Sequence, residues 1–419
     1  MKPKLLTTLQ TYSLALFLAD LGAGVTVAMV ALPLSMAIAI ASGATPGVGL
    51  ITAVVGGVLI SALGGSRVQI GGPTGAFIVV VAGVIAAHGF DGLVLATLMA
   101  GAILLLAGLL RAGSLIRYVP EPVINGFTIG IAVIIATSQV KDALGLQLDS
   151  VPADFLEKLP ALWAVRNTLD PAALTVAVAT MAAIVLLRRA FPRFPGLIVA
   201  VALGSVLGHA LGGVETIGDR FGDLPDHLPV PHLPQITLDR LTELLPSALV
   251  IAFLAGIESL LSAMVADRMI GGAHRPNAEI IAQGAANIGS ALMGGLPATG
   301  AIARTATNVR AGGKTPVAGI VHALAILMAM MLAAPLAAHL AMPTLAGLLI
   351  LTAWNMSEPG RWASYLQDRR ADQVLLGLTL VLTVMTDLTV AIGVGVALGL
   401  ALRLRRRSVD PADWTPPER

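Results

Sequence analysis

The chain has 419 residues, 56% of them hydrophobic and 12% charged, with a mean hydropathy of +0.86. Soluble domains carry about a quarter charged residues, so this is the composition of a polytopic membrane protein built into a lipid bilayer. The absence of cysteine excludes disulfides, thiol chemistry and Cys-ligated metals, and a formal net charge of +2 points to no nucleic-acid partner.

Measured against the roughly twenty apolar residues that a span requires, the runs predict segments at 18–41, 46–63, 74–87, 92–110, 120–138, 171–187, 195–213, 243–264, 276–293, 298–308, 316–334, 341–354, 372–386 and 388–402, fourteen in all. The first follows Lys2 and Lys4 but shows no A-x-A cleavage site, so it reads as span one rather than a signal peptide. With the N-terminus in the cytoplasm, that side holds twenty basic residues: Lys2, Lys4, Arg67, Arg111, Arg117, Arg188, Arg189, Arg193, Arg268, Arg275, Arg310, Lys314, Arg361, Arg369, Arg370, Arg403, Arg405, Arg406, Arg407 and Arg419. The other side holds five: Lys141, Lys158, Arg166, Arg220 and Arg240. This bias requires an even span count and puts both termini in the cytoplasm. Tyr12, Tyr118, Trp163, Trp354, Trp362 and Tyr365 fall near predicted span ends, where amphipathic rings prefer to sit.

The longest connections, 139–170 and 214–242, read as solvated outer loops; His227 and His232, with Asp223 and Asp226 nearby, fit no metal-ligand spacing. The second connection divides the chain into 1–213, with spans 1–7, and 243–403, with spans 8–14, followed by a tail at 404–419. Two passages correspond across that division: Gly71-Gly72-Pro73-Thr74-Gly75-Ala76 and Gly294-Gly295-Leu296-Pro297-Ala298-Thr299-Gly300-Ala301. Thr299 lies 225 residues after Thr74, and seven segments per half make the repeats inverted. Each passage opens an apolar stretch too short to span, so segments three and ten read as half-helices, each preceded by a short extended stretch. The fold expected is therefore an all-α polytopic membrane protein of fourteen segments in a 7+7 inverted repeat. Small-residue pairs such as Gly126/Gly130, Gly204/Gly208 and Gly395/Gly399 read as helix-packing faces.

A helix N-terminus has unpaired N–H groups and a partial positive charge, so two of them meeting at mid-membrane form an anion pocket. Thr74 and Thr299 suit the capping positions, and Gly75 and Gly300 leave room for a ligand beside the backbone. Arg304 stands one turn into the second half-helix, where a charge needs a ligand, water or partner. Its roles are a fixed cation for the anion or an ion pair with Glu258. Glu258 is the carboxylate deep inside a long span, and its protonation would couple anion movement to protons. Ser262, one turn further along the same face, offers the alternative of oxygen ligands for sodium. Asp20, Glu279 and Asp387 lie near predicted ends and read as solvated or capping residues.

Gly312-Gly313-Lys314-Thr315 resembles the end of a phosphate-binding loop, but the first glycine of that motif would fall on Asn308. There is no H-E-x-x-H or G-x-S-x-G, so no enzyme activity and no cofactor are expected.

Ile257-Glu258-Ser259-Leu260-Leu261, Asn287-Ile288-Gly289, the run Gly294 to Asn308 and Gly312-Gly313-Lys314-Thr315-Pro316 together resemble the bacterial sulfate permease (SulP) family, as do Ala31-Leu32-Pro33 and Gly71-Gly72-Pro73. The resemblance implies the fold of uracil/proton symporters, a core domain of spans 1–4 and 8–11 moving as an elevator against a gate domain of spans 5–7 and 12–14, homodimers in the cell inner membrane, and secondary transport of small anions. By position it places the anion-site arginine on Arg304 and the pocket on Leu34, Ile38, Thr74, Gly75, Ala76, Phe77, Thr299, Gly300 and Ala301. Ala303 and Ile38 depart from the animal branch, which has a serine and often an aromatic residue there, so halide selectivity is not implied. Family members carry a cytoplasmic STAS domain after the last span, whereas this sequence stops at Arg419, as expected of a short or truncated form.

The small residues Gly75, Ala76, Gly300, Ala301 and Ala303 favour a roomy pocket and hence proton-coupled uptake of a dicarboxylate such as fumarate. The alternatives are sulfate or bicarbonate transport coupled to protons or sodium, or an uncoupled anion channel. A nucleobase symporter of the same fold is disfavoured by Arg304.

Overall fold

The computed structural model describes residues 2–113, 120–148, 151–152, 154–191, 195–386 and, between 390 and 399, all but 392 and 396. Its elements are α1 (Lys4–Thr8), α2 (Leu14–Ala41), α3 (Pro46–Leu63), β1 (Gly71–Gly72), α4 (Ile78–Leu109), α5 (Glu121–Ser138), α6 (Val140–Leu144), α7 (Phe155–Ala164), α8 (Pro171–Ala190) and α9 (Gly196–Leu211). They continue with α10 (Ile217–Phe221), α11 (Leu238–Ile270), α12 (Pro276–Leu292), β2 (Thr299–Gly300), α13 (Ile302–Arg310), α14 (Val317–Ala338), α15 (Met342–Met356), α16 (Trp362–Tyr365) and α17 (Arg370–Met385). Seven described helical stretches are long and apolar enough to cross a membrane: Leu14–Ala41, Pro46–Leu63, Gly75–Leu109, Glu121–Leu144, Pro171–Ala190, Leu238–Ile270 and Val317–Ala338.

Local chemistry sets the helix ends. Proline opens α3, α8 and α12, where its missing N–H costs nothing. Ser13, Asp170 and Thr237 accept N–H bonds as caps, and Gly271 ends α11 in the left-handed conformation at φ 62°.

Every predicted segment through 372–386 coincides with helix. Segments three and four run together as α4, interrupted at Gly89, whose φ of 69° and ψ of −179° are not helical. Segment ten begins later than expected, at Ile302, because Thr299 and Gly300 are extended. Residues 388, 389, 392, 396 and 400–402 of segment fourteen, the 404–419 tail, Arg117, Tyr118, Arg193, Asp387 and the basic residues from Arg403 onward lie outside the described residues.

The outer connections are more structured than expected. They hold α6, α7 and α10, and Arg220 joins both to each other through Asp142 at 2.7 Å and Glu215. Asp20 and Glu279, expected near solvent, are fully buried. Asp20 accepts the N–H groups of Lys314 (2.8 Å) and Thr315 (3.1 Å) together with the hydroxyl of Tyr12, so the phosphate-loop look-alike docks onto α2.

Helix packing falls into two groups. In the first, α12 packs on α4 and α3, α11 on α4, and α14 on α2 and α3; in the second, α17 packs on α5, while α8 packs on α9 and α15. Apolar side chains such as Leu186, Leu203, Val206, Leu332 and Leu336 point outward, which suits contact with lipid rather than water. The glycine pairs are packing faces: a Cβ on Gly126 would strike the Leu376 carbonyl, and one on Gly130 would come within 2.7 Å of Thr383 Cβ.

Gly126→Ala should therefore cost about 1–3 kcal/mol by overpacking and lower the thermal unfolding midpoint in detergent. Gly377→Ala, on the partner helix but with nothing within 4 Å of the new carbon, should leave the midpoint unchanged. Equal losses in both variants would contradict this packing.

Candidate functional site

The two corresponding passages meet. β1 and β2 pair antiparallel, with Gly71 opposite Gly300 and Gly72 opposite Thr299, and Ala301 N–H extends the ladder to the Ile70 carbonyl at 2.8 Å. From this crossing one chain leaves through Thr74 and a 3₁₀ turn, Gly75–Phe77, into α4; the other leaves through Ala301 into α13. Two helix starts thus face a common point with their first N–H groups free of helical partners, which is anion-binding chemistry.

Extended backbone at membrane depth must have its polar groups satisfied by protein. α12 supplies most of them from one face, where Glu279, Gln283, Asn287 and Ser290 recur at helical spacing and are fully buried. Asn287 holds both polar groups of Ala298, accepting its N–H at 3.0 Å and donating to its carbonyl at 2.8 Å. Ser290 donates to the Leu296 carbonyl, and Thr52 accepts the Leu296 N–H. Glu279 accepts from the N–H groups of Gly65 (2.8 Å) and Ser66 (3.1 Å) and from the side chains of Gln69, Gln283 and Ser259, each at 3.0 Å. These supporting residues were missed as functional in the sequence. The signal for them was the polar stripe of α12, a face of carboxylate, amides and hydroxyl inside an otherwise apolar helix.

Thr74 and Thr299 do not cap their helices. Thr74 donates its hydroxyl to Glu258 Oε2 at 2.6 Å, and Thr299 donates to the Ala255 carbonyl at 2.8 Å, so each ties the crossing to α11. The reason is the extended stretch: it sets Thr299 two residues before the helix N-cap, Ala301, and the α11 acceptors take both hydroxyls. Arg304, the third residue of α13, is 1% exposed and lies against Gly72 of β1. Its Nη2 donates to the Pro73 carbonyl at 3.0 Å and to Ser35 Oγ at 3.2 Å, while Nε and Nη1 have no partner among the described residues. A Cβ on Gly72, whose φ is 150°, would collide with Nη1, which explains a glycine there. Arg304 and Glu258 form no ion pair among the described residues.

The remaining predicted residues surround this crossing. Ile38, Ala76, Phe77, Thr299 and Ala301 are buried, Leu34 and Glu258 are partly accessible, and Ala303 is exposed. Ser262 donates its hydroxyl to Thr305 Oγ1 at 3.1 Å, and Thr305 Oγ1 in turn accepts the Ile70 N–H at 3.0 Å. The space at the two glycines is also differently used than expected. A Cβ on Gly300 would strike the amide of Gln69, and one on Gly75 would lie 3.1 Å from Met356 Sδ and 3.4 Å from Ile135 Cδ1, so both glycines fit protein closely.

Known proteins share this arrangement. Residues 17–379 match the profile of the Sulfate permease family. YvdB of Bacillus subtilis (strain 168), whose name assigns it provisionally to sulfate transport, is 43% identical over 381 residues, 90% of this chain and 72% of that protein. The bicarbonate transporter BicA of Synechocystis sp. (strain ATCC 27184 / PCC 6803 / Kazusa) is 33% identical over 382 residues, covering 89% and 67% of the two chains. Among solved structures, the transmembrane domain of a cyanobacterial BicA superposes with a TM-score of 0.82 at 30% identity, covering 92% of this chain and 98% of that one. SLC26A9, at 17% identity and a TM-score of 0.87 over 96% and 68% of the chains, shares the fold. The match over most of the chain, the multi-pass helical architecture and the crossing of two helix starts agree, and the chain belongs to the sulfate permease family of membrane anion transporters.

Proposed function

We propose that this chain carries a small inorganic oxyanion, sulfate or bicarbonate, across the inner membrane by alternating access, with protons as the coupling ion. The observation that carries this reading is the crossing itself: two helix starts meet at the β1–β2 pair, Arg304 lies against it, and Glu258 is bonded to Thr74 at its edge. Sulfate and bicarbonate are the anions in the relatives' names, which supports them over the dicarboxylate favoured by pocket composition alone. A second cue agrees. A carboxylate held at the N-terminus of α4 occupies the electrostatic niche that an anion needs, so protonation of Glu258 relieves the repulsion and admits the substrate. With Ser262 bonded to Thr305 rather than aimed at Glu258, a proton fits this edge better than sodium.

In this reading the fourteen segments form two inverted repeats of seven with both termini in the cytoplasm. The α2–α4 and α11–α14 group carries the pocket as an elevator against the α5, α8, α9, α15 and α17 group, and two copies associate as a homodimer. The pocket residues are Leu34, Ile38, Thr74 to Phe77 and Thr299 to Ala301, with Arg304 supplying fixed charge from beside β1.

Arg304→Ala should reduce saturable sulfate or bicarbonate uptake into proteoliposomes by about ten- to a hundredfold, the loss expected for a charged hydrogen-bonding partner. Gel filtration checks that the variant is still folded, and wild-type uptake affinity would remove Arg304 from the site.

For coupling, uptake should rise as external pH falls and be indifferent to sodium, while Glu258→Gln should flatten the pH profile. An absolute sodium requirement would replace the proton by a cation held at Glu258, and non-saturating flux would favour a channel.

A further inference from the structure

Beside β1 runs a seam of polar side chains to which the transport reading assigns no role. Ala53, Gly57 and Ser61 recur every four residues along α3 and present one face to residues 69–72. At the first level, a Cβ on Gly72 would strike Arg304 Nη1 and lie 3.5 Å from Ala53 Cα. At the next, a Cβ on Gly57 would lie 3.4 Å from the Gly71 carbonyl and 3.7 Å from His322 Nδ1. At the last, Ser61 Oγ fills the space beside Gly319, three residues before His322 on α14, and the Gln69 carbonyl lies 3.4 Å from where a Gly319 Cβ would be. Arg304, His322 and Ser61 are therefore stacked along a single helix face.

His322 is fully buried, and neither ring nitrogen has a hydrogen-bond partner among the described residues; the same holds for Ser61 Oγ and for Arg304 Nε and Nη1. Buried polar atoms are almost always paired, so several such atoms in one seam mark a place where a proton or small polar species is exchanged. The charges around His322 are few. α3 contributes no titratable residue, and α2 contributes Asp20, which is occupied by Lys314, Thr315 and Tyr12. α10 contributes Asp219 and Arg220, where Gly218 packs on Ala338 at the far end of α14. Arg304 is the charged side chain on this seam.

We propose that His322 is a second proton site of the transporter, taking up a proton when an anion occupies the crossing beside Arg304. The inference rests on the anion-transport reading above. An imidazolium beside a buried guanidinium with no anion present would place two like charges in a medium of low dielectric. An anion at the crossing offsets the guanidinium and permits the second cation. By linkage the effect is reciprocal, so a protonated His322 tightens anion binding, and affinity rises as pH falls. His322 touches no substrate; it acts through Arg304.

The test is calorimetry of sulfate, and separately of bicarbonate, binding to detergent-solubilised wild type, His322→Gln and Glu258→Gln in buffers of different ionisation enthalpy, which yields protons taken up per anion bound. Bicarbonate's own protons cancel in the difference between proteins. Wild type should take up protons on binding, the more so as pH falls, and each fully linked proton changes affinity by up to about tenfold per pH unit. His322→Gln should bind the anion at high pH with affinity within about threefold of wild type yet lose part of the proton uptake, and Glu258→Gln should retain that part. If the Gln variant fails to fold, His322→Ser serves in its place. Binding with undiminished proton uptake in the His322 variants overturns the role of His322 alone. Binding of neither anion overturns the transport reading and this inference with it.

Discussion

Four residues of extended backbone inside a membrane domain govern the rest of this structure. A helix satisfies its own N–H and C=O groups, but a strand of two residues cannot, and lipid offers no substitute. The mutual pairing of Gly71–Gly72 with Thr299–Gly300 answers part of that demand, and the flanking backbone draws on side chains for the remainder. Thr305 takes the Ile70 N–H, Asn308 donates to the Val68 carbonyl, Asn287 grips Ala298, and Arg304 donates to the Pro73 carbonyl. The buried polar residues of α12 and α13 are thus the complement of the non-helical backbone, and the same irregularity that demands them is what frees two helix starts to face an anion.

Much of this was legible from hydropathy and glycine. The repeated Gly-Gly passages marked the crossing, Pro46 marked the start of α3, and the apolar runs located the helices. What sequence could not supply was direction. Thr74 and Thr299 have the right chemistry for helix caps, yet both hydroxyls turn to α11, because the cap is a local motif and the competing acceptors, Glu258 and the Ala255 carbonyl, are 184 and 44 residues away. Glu279 shows the same limit. Its place near a helix start suggested solvent, but five donors converge on it from three separate parts of the chain. Five hydrogen bonds satisfy this buried carboxyl group, which forms no ion pair among the described residues. Only tertiary packing reveals such convergence.

The placement of Arg304 changes how the site must work. A guanidinium in front of the crossing would bind the anion by direct contact and hold it tightly. In the proposed reading it acts across the backbone of Gly72 and Pro73, to whose carbonyl it donates, and helix-start N–H groups are the surface that would meet the anion. A carrier must release its cargo at every cycle, and a long-range field with weak directional contacts suits release better than a bidentate clamp.

The packing also distinguishes what can move from what cannot. Within each helix group, glycines bring backbones into direct apposition: Gly24 against Ala318 and Val321, Gly101 against Gly284 and Ile288, Gly126 against Leu376, and Gly347 against Ala177. Such contacts are keyed, since a small shift puts backbone into backbone. At Gly75, where the pocket group meets α5 and α15, the opposing atoms are the ends of Ile135 and Met356. Methionine is unbranched and adapts its shape at little cost, so in the proposed cycle this boundary is the one that would slide through rotamer changes while the crossing, held by its own hydrogen bonds, moves intact. The stiff interiors and the softer contact at Gly75 would be the mechanical counterpart of the proposed alternating access, and they arise from the same distribution of glycine and long apolar side chains that sequence already displays.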